Sequence, residues 1–525
     1  MLQIKEISIT YKKDLRVLIS GLSLVLNPGD KMALIGEEGN GKSTLMKLIY
    51  DENLVENYVE HSGEIVKNNC VLGFLEQEID SREKECSVYE FLERESGFFD
   101  MSSKELAEIA NKLNLSPEFI YSEQKVKSLS GGEKVKLQVV RILCRRPDIL
   151  LLDEPSNDID LETLEWLERF IQEWEGAVLF ISHDETLLER TANRILHLEM
   201  LKKKREAKHT ISQVGYNEYM ERRKHQLEKQ EQVARKERSE YRAQQERLQR
   251  IEQKVERQQA RITRQDPHGA ALLKKKMKAV KSLEHRFERE SGGMTELPDV
   301  EEAIFFKFHN TEKIPRGKTV LDMKQEELRV GDRLLAENID LSIRGPEKVC
   351  IVGKNGTGKT TLMKCICEQL LERDDIRAAY MPQDYQSRMD FEKTPVEFLS
   401  HSGDKEERTE IRTYLGSLKF TKEEMEHPIR ALSGGQRAKL FLLQISMRGA
   451  NVLILDEPTR NFSPLSNPVI RKLLRDFEGA IISVSHDRKY IAEVCDTVYE
   501  LTREGLKPWE TLEKEKGRRI YENDG

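Results

Sequence analysis

The sequence predicts an α/β protein made of two copies of one domain joined by a long antiparallel helical hairpin. Three observations predict it: motifs that recur at one fixed offset, apolar strands that run into glycine-rich turns, and a charged middle segment with a seven-residue apolar period. The chain has 525 residues and a mass of 61.0 kDa, several times the ~100 to 200 residues of one domain, so more than one core is expected. Hydrophobic residues make up 38% and charged residues 34%, enough to bury real cores beside a strongly charged, solvated element. No apolar run approaches the ~20 residues that cross a bilayer, and Met1 to Asp14 reads as alternating strand, not an export signal. A cytoplasmic protein is therefore expected. Seven scattered cysteines, odd in number and without a CxxC pair, are expected as buried thiols.

LSGG occurs at Leu129 to Gly132 and again at Leu432 to Gly435, a shift of 303. Asp153-Glu154-Pro155 and Asp456-Glu457-Pro458 share that shift, as do the SHD histidines His183 and His486. One offset for three motifs means two copies of one unit. In each copy an apolar strand (Lys31 to Ile35; Val349 to Val352) leads to a glycine-rich turn and helical patterns, then to a second buried strand (Ile149 to Leu152; Val452 to Leu455). The boundaries read from this pattern are residues 1–200 and 296–506 for the copies, 201–295 for the linker and 507–525 for a short tail. In the linker, Met220, Leu227, Ala234, Tyr241, Leu248, Val255 and Ile262 recur every seven residues, which predicts an amphipathic helix from about Glu218. Its length to Ile262 would be on the order of 65 to 70 Å. Asp266, Pro267, His268 and Gly269 supply a turn, Leu273, Val280 and Phe287 a returning seam, and Ser291, Gly292 and Gly293 an end.

Two segments satisfy GxxxxGKS/T: Gly36, Glu37, Glu38, Gly39, Asn40, Gly41, Lys42, Ser43, followed by Thr44, and Gly353, Lys354, Asn355, Gly356, Thr357, Gly358, Lys359, Thr360, followed by Thr361. The glycines let backbone N–H groups wrap a β-phosphate, the lysine neutralises the β- and γ-phosphates, and the hydroxyl reaches Mg²⁺. Nucleotide binding follows from two such loops, each after a strand. Asp153 and Asp456 end buried strands and need a cation, which Mg²⁺ with its waters would supply. Glu154 and Glu457 follow directly and are candidates to orient and deprotonate an attacking water. Gln77 and Gln383 are candidates to sense the metal and γ-phosphate, although glutamines after strands are often surface residues. Ser130, Gly131, Gly132 and Ser433, Gly434, Gly435 begin helices, where hydroxyl and backbone donors can receive a phosphate or serve only as caps.

Phosphate loop, glutamine, LSGG, DEP and SHD in one order, twice, resemble a tandem of ATP-binding cassettes over nearly the whole chain outside the hairpin. The resemblance implies two ABC-type P-loop ATPase domains joined by a long antiparallel α-helical hairpin linker, with ATP and Mg²⁺ as cofactors. It also implies head-to-tail pairing within one monomer. One site would join Lys42, Asp153, Glu154 and His183 to Ser433; the other would join Lys359, Asp456, Glu457 and His486 to Ser130. With no membrane span and a charged hairpin between cassettes, the chain is similar to the ABC-F family, ATPases that act on the ribosome. That likeness implies the 70S ribosome as partner, entry at the E site near rRNA and the P-site tRNA, and neither membrane nor DNA as target.

Net charge is −7, yet Leu201 to Glu290 holds 26 Lys plus Arg against 14 Asp plus Glu. The hairpin tip carries Lys254, Arg257, Arg261, Arg264, Lys274, Lys275, Lys276, Lys278 and Lys281 against Glu256 and Asp266, a pattern suited to RNA phosphates, or alternatively to a solvated coiled-coil face. After the second DEP, the family's TNHLD reads Thr459, Arg460, Asn461, Phe462, Ser463, so the loop lacks its Asp, whereas Asp160 keeps it in the first copy. The two sites are therefore expected to differ. Tyr11 is placed to stack on adenine in the first copy, with Val330 at the matching position. Only 53 positions separate Gln77 from Ser130, little room for an inserted arm. These variants resemble the antibiotic-resistance branch, which protects ribosomes against lincosamides, streptogramin A and pleuromutilins; a general translation factor of the same family and a transporter's ATPase subunit are the alternatives.

Overall fold

A computed structural model gives the architecture and describes residues 1–201, 206–261, 271–272, 274–282, 286, 295 and 313–509. Two compact units separate, one comprising Met1–Tyr216 with Glu301–Gly525 and the other Asn217–Val300. In the first unit each cassette has a six-stranded sheet. The first sheet comprises β3 (Lys31–Ile35), β5 (Leu72–Leu75), β6 (Ile149–Asp153), β7 (Ala177–Ile181), β8 (Arg194–Met200) and β9 (Glu206–Ser212), ordered β5-β6-β7-β3-β8-β9. The second, β13 (Ala378–Met381), β14 (Val452–Asp456), β15 (Ala480–Val484), β12 (Lys348–Val352), β16 (Thr497–Thr502) and β17 (Gly505–Pro508), repeats that order. Strands β1 (Leu2–Tyr11), β2 (Val17–Leu26) and β4 (Val59–Val66) form a smaller antiparallel sheet in the first cassette; β10 (Thr319–Val330) and β11 (Arg333–Arg344) pair in the second.

The central strands are parallel and buried along their whole length, which is why they read as continuous apolar runs rather than alternating ones. Leu34, Leu151 and Leu179 are fully buried in one core, and Ile351, Ile454 and Ile482 in the other. The order places the turns after β3 and β12 at the carboxyl ends of their sheets, the position where open α/β sheets bind ligands. Strand β9 pairs antiparallel with β8, so the first cassette's sheet extends past the boundary at residue 200 read from the sequence. The short apolar alternation of Glu206–Ser212 was masked there by the basic run beside it.

The helix Tyr216–Arg261 has 46 residues and begins two residues before the expected Glu218. In the second unit Ala234, Val255 and Val280 are buried, and the Thr295 backbone N–H donates to Glu237 Oε2 at 2.6 Å. Residues 274–282 are also helical. Ile262, Leu273, Phe287, the turn at Asp266–Gly269 and Ser291–Gly293 lie outside the described residues, as do the tail lysines and arginines after 509. No helix among the described residues is long and apolar enough to cross a membrane. Because Leu151 is fully buried between neighbouring parallel strands, Leu151→Ala is expected to cost about 2 to 5 kcal/mol. Urea denaturation followed by circular dichroism measures it.

Candidate functional site

Both phosphate loops leave a buried strand, pass through left-handed glycines and enter a helix. Gly41 (φ 87°) and Gly358 (φ 101°) precede the helices Lys42–Tyr50 and Lys359–Leu371. At Gly36, a Cβ would lie 2.3 Å from the Leu198 carbonyl oxygen, so only glycine lets the loop pass the neighbouring strand. Lys42 Nζ donates to the Gly36 and Glu37 carbonyls at 2.8 and 2.9 Å; Lys359 Nζ does the same to Gly353 and Lys354 at 2.7 and 2.9 Å. Each ammonium is thus held at the centre of its own loop.

A cavity of about 960 Å³ opens between the cassettes. One wall carries Gly356, Gly358, Lys359, Thr360, Thr361, Gln383, Asp456, Glu457 and His486 of the second cassette, and the facing wall Ser130, Gly131 and Asp160 of the first. The structure therefore brings together the residues that sequence reasoning assigned to one composite site. Ser130 caps the helix Gly131–Leu143 through a capping box with Glu133. A Cβ on Gly131 would lie 1.8 Å from the Asp158 carbonyl oxygen, so this turn too requires glycine. Val330 lines the same cavity, whereas Tyr11 packs beside Tyr58 with ring centroids 6.1 Å apart. Gln383 Nε2 donates to Asp158 Oδ1 across the interface at 3.3 Å; Gln77 is exposed.

The other composite site is closed by direct contact. Ser43 Oγ donates to Asp153 Oδ1 at 3.0 Å. His183 Nε2 lies 2.7 Å from Glu154 Oε1, and its Nδ1 is 2.8 Å from the Phe462 carbonyl of the second cassette. Ser433 caps the helix Gly434–Met447, and the Gly435 N–H donates to Glu38 Oε2. Here a carboxylate of one phosphate loop occupies the helix start that faces it.

Glu154 and Glu457 both have φ of 54°, an uncommon conformation for a non-glycine residue. Backbone bonds to the next strand, Glu154 N–H to the Ile181 carbonyl and Glu457 N–H to the Val484 carbonyl, hold it. The two sites nevertheless differ in charge state. Burial, with Asp456 beside it, pushes Glu457 up to about 8, while burial and Lys359 push His486 down to about 3; the His486 backbone N–H donates to Glu457 Oε2 at 3.3 Å, and the ring Nε2 stands 3.8 Å from Oε1. Burial would raise Glu154 as well, but His183 outweighs it and holds the carboxyl below its usual range. Burial pushes Asp153 up to about 6, with Glu154 adding to the shift, and raises Asp456. Asp456 Oδ2 is buried without a partner among the described residues, and the Thr360 hydroxyl bonds this carboxylate. Hard oxygen donors with an orphaned buried carboxylate oxygen fit Mg²⁺ at Thr360–Asp456, and Ser43–Asp153 offers the same pair.

Contacts that the sequence reading missed explain the lost Asp. Asp160 Oδ2 accepts from the Asn355 N–H at 3.4 Å, and Asn355 Nδ2 donates to the Asp158 carbonyl at 2.7 Å. At the equivalent position Ser463 donates through Oγ to Glu37 Oε1 at 2.6 Å, joined by Ser466, with Lys439 Nζ 3.6 Å from Glu37 Oε2. The acid has moved from the loop after DEP to the opposing phosphate loop. Glu37 occupied an unconstrained position of GxxxxGKS/T, so the motif hid it; the absent Asp at Ser463 was the available signal.

Comparison with known proteins follows the same lines. A family model described as ABC transporter matches residues 19–157 and 336–460. The chain is 26% identical to Probable ATP-binding protein YheS of Escherichia coli strain K12, over 96% of its own length and 79% of that protein. It is also 26% identical to Ribosome protection protein VmlR of Bacillus subtilis strain 168, over 95% and 87%. The solved archaeal ribosome recycling factor aABCE1, in complex with ribosomal stalk protein aP1, shares the fold with a TM-score of 0.59 at 17% identity, covering 98% of this chain and 92% of that one.

Two outcomes are expected. Because the folded state holds a proton on Glu457 that the unfolded chain releases near 4.5, this group's contribution to stability falls as pH rises from about 4.5 to about 8. The melting temperature of nucleotide-free Glu457→Gln should thus gain on the parent across that window and level off above it. Ser463→Asp places a second carboxylate on buried Glu37 and should lower ATP turnover at least about tenfold, with Glu37→Asn restoring most of it in the double variant; steady-state hydrolysis assays measure both.

Proposed function

The chain belongs to the ABC transporter family, whose model matches half of it in two copies, and is an ATP hydrolase; from that premise we propose that it is an ABC-F ATPase that works on the ribosome. The single observation carrying the reading is the cavity shared by one cassette's phosphate loop and the other's LSGG helix start. A triphosphate bound there would be a ligand common to both halves, so the closed arrangement depends on it. Lys42 and Lys359 neutralise phosphate charge, and Ser130 and Ser433 present helix-start donors to the γ-phosphate. Glu154 and Glu457 orient and deprotonate the attacking water, with His183 and His486 beside them. Ser43 with Asp153, and Thr360 with Asp456, would hold Mg²⁺, which supplies charge neutralisation on the phosphates when bound.

In this reading the helix Tyr216–Arg261 and the helical residues 274–282 are the two arms of the hairpin linker. Lys254, Arg257, Lys274, Lys275, Lys276, Lys278 and Lys281 are exposed, as contact with RNA phosphates requires; the Arg261 and Arg264 side chains lie outside the described residues. Closure by ATP presents this probe to the E site, where a shift in tRNA or rRNA expels a drug from the peptidyl-transferase centre, and hydrolysis releases the protein. The relative named as a ribosome protection protein supports the choice of ribosome and of resistance. Glu154→Gln combined with Glu457→Gln should co-sediment with 70S ribosomes in ATP and not in ADP. A double variant that remains in the supernatant under both nucleotides sinks the ribosomal reading, and unchanged drug susceptibility of cells expressing the parent restricts it to a general translation factor.

A further inference from the structure

Beyond the nucleotide sites, a second set of contacts joins the cassettes, and the 303-residue offset exposes its logic. Arg471 of the second cassette is buried against Glu185 of the first, with Nη2 3.3 Å from Oε2. Arg488 of the second bonds Glu168 of the first, and also lies 3.2 Å from Asp184. Applying the offset, Glu168 corresponds to Arg471 and Glu185 to Arg488. The two contacts are therefore one contact made twice across a pseudo-twofold axis, as a symmetric interface demands. At both of these positions the sign is inverted between copies, whereas Asp184, which Arg488 also approaches, keeps an acid, Asp487, as its equivalent. Inversion extends to the supporting pair within each cassette: Arg190 Nη1 sits 3.0 Å from Glu168 Oε2, and its equivalent, Glu493, accepts from Arg471 Nε at 3.0 Å.

Chance duplication of a salt bridge would leave acids and bases mixed within each copy. Here both acids at the Glu168/Arg471 and Glu185/Arg488 positions stand on the first cassette and both bases on the second. Two first cassettes brought together would set Glu168 against Glu185 twice, and two second cassettes Arg471 against Arg488 twice, each with buried like charges. We infer that this inverted quartet is a pairing code: it fits the first cassette to a second cassette, excludes pairing between like cassettes, and so commits the chain to closing on itself. Lys489, which reaches Glu185 at 3.2 Å and also bonds Glu189, adds to the basic side. Arg488 keeps Nε and Nη1 without partners among the described residues, which makes the Arg471–Glu185 half the better satisfied one.

The full-length chain tests this. Glu168→Arg/Glu185→Arg/Arg190→Glu gives both cassettes the basic pattern while keeping the supporting pair within the first; Arg471→Glu/Arg488→Glu/Glu493→Arg gives both the acidic one. Either triple should melt several degrees below the parent and lose at least tenfold in ATP turnover. Combining all six restores opposite charges and should recover turnover at least fivefold over either triple, with a matching rise in melting temperature. Triples indistinguishable from the parent, or a sixfold variant no better than the worse triple, overturn the pairing code. Melting is read without nucleotide and turnover without ribosomes, so failure of the ribosomal reading leaves this result unaffected, and the reverse.

Discussion

A carboxylate buried where two copies of a domain meet must find its positive or hydrogen-bonding partner on the opposite copy, because removing an ionised group from water costs several kcal/mol unless it is compensated. Much of the arrangement between these cassettes answers that requirement. Glu37 is buried and held by Ser463, Ser466 and Lys439 from across the interface. Glu185 is buried against Arg471, and Glu168 against Arg488. Asp153 and Asp456 are the exceptions that matter most: burial raises both, and the hydroxyl and nearby lysines of their own cassette only partly offset it. A site that leaves its carboxylates under-compensated has capacity for a cation, and this separates the nucleotide sites from the purely structural contacts.

Much of this was legible in the sequence where a physical requirement fixes residue type. A left-handed turn at Gly41 or Gly358 needs glycine, a strand buried on both faces needs an apolar run such as Ile149–Asp153, and a helix start needs Ser130 or Ser433; each requirement leaves a mark at a fixed spacing. The strand Glu206–Ser212 left a weaker mark, since an edge strand with partly exposed residues differs little from a polar linker. Contacts between cassettes were the least legible. Glu37 and Ser463 are 426 residues apart; Glu37 fills an unspecified position of GxxxxGKS/T, and Ser463 stands where the motif would have an Asp. Only the missing Asp after the second DEP hinted that something else had taken over its role.

The inverted signs across the offset show how a duplicated domain becomes a specific pair. Duplication yields two identical surfaces, and a symmetric interface between them would accept like copies as readily as unlike ones. Sign inversion at Glu168/Arg471 and Glu185/Arg488 removes that freedom without changing the geometry of the contact. The exchange of acid between Glu37 and Asp160 is the same device at the nucleotide sites: the carboxylate is kept, but it stands on the phosphate loop in one site and on the loop after DEP in the other.

That exchange has a chemical consequence for each site. With Glu37 and Glu38 on its phosphate loop, the first cassette meets its partner through negative groups, and Glu38 already occupies the start of the Gly434–Met447 helix. An incoming γ-phosphate there competes with a carboxylate for the same donors. In the second cassette the corresponding loop carries Lys354 and Asn355, which attract phosphate and contact Glu162 and Asp160 instead. Glu154 is paired with His183, which holds its carboxyl below the usual range, whereas burial with Asp456 alongside raises Glu457. The two sites thus differ in the charge that lines them, and their inequivalence is built into charge placement, not into the fold, which the two copies share.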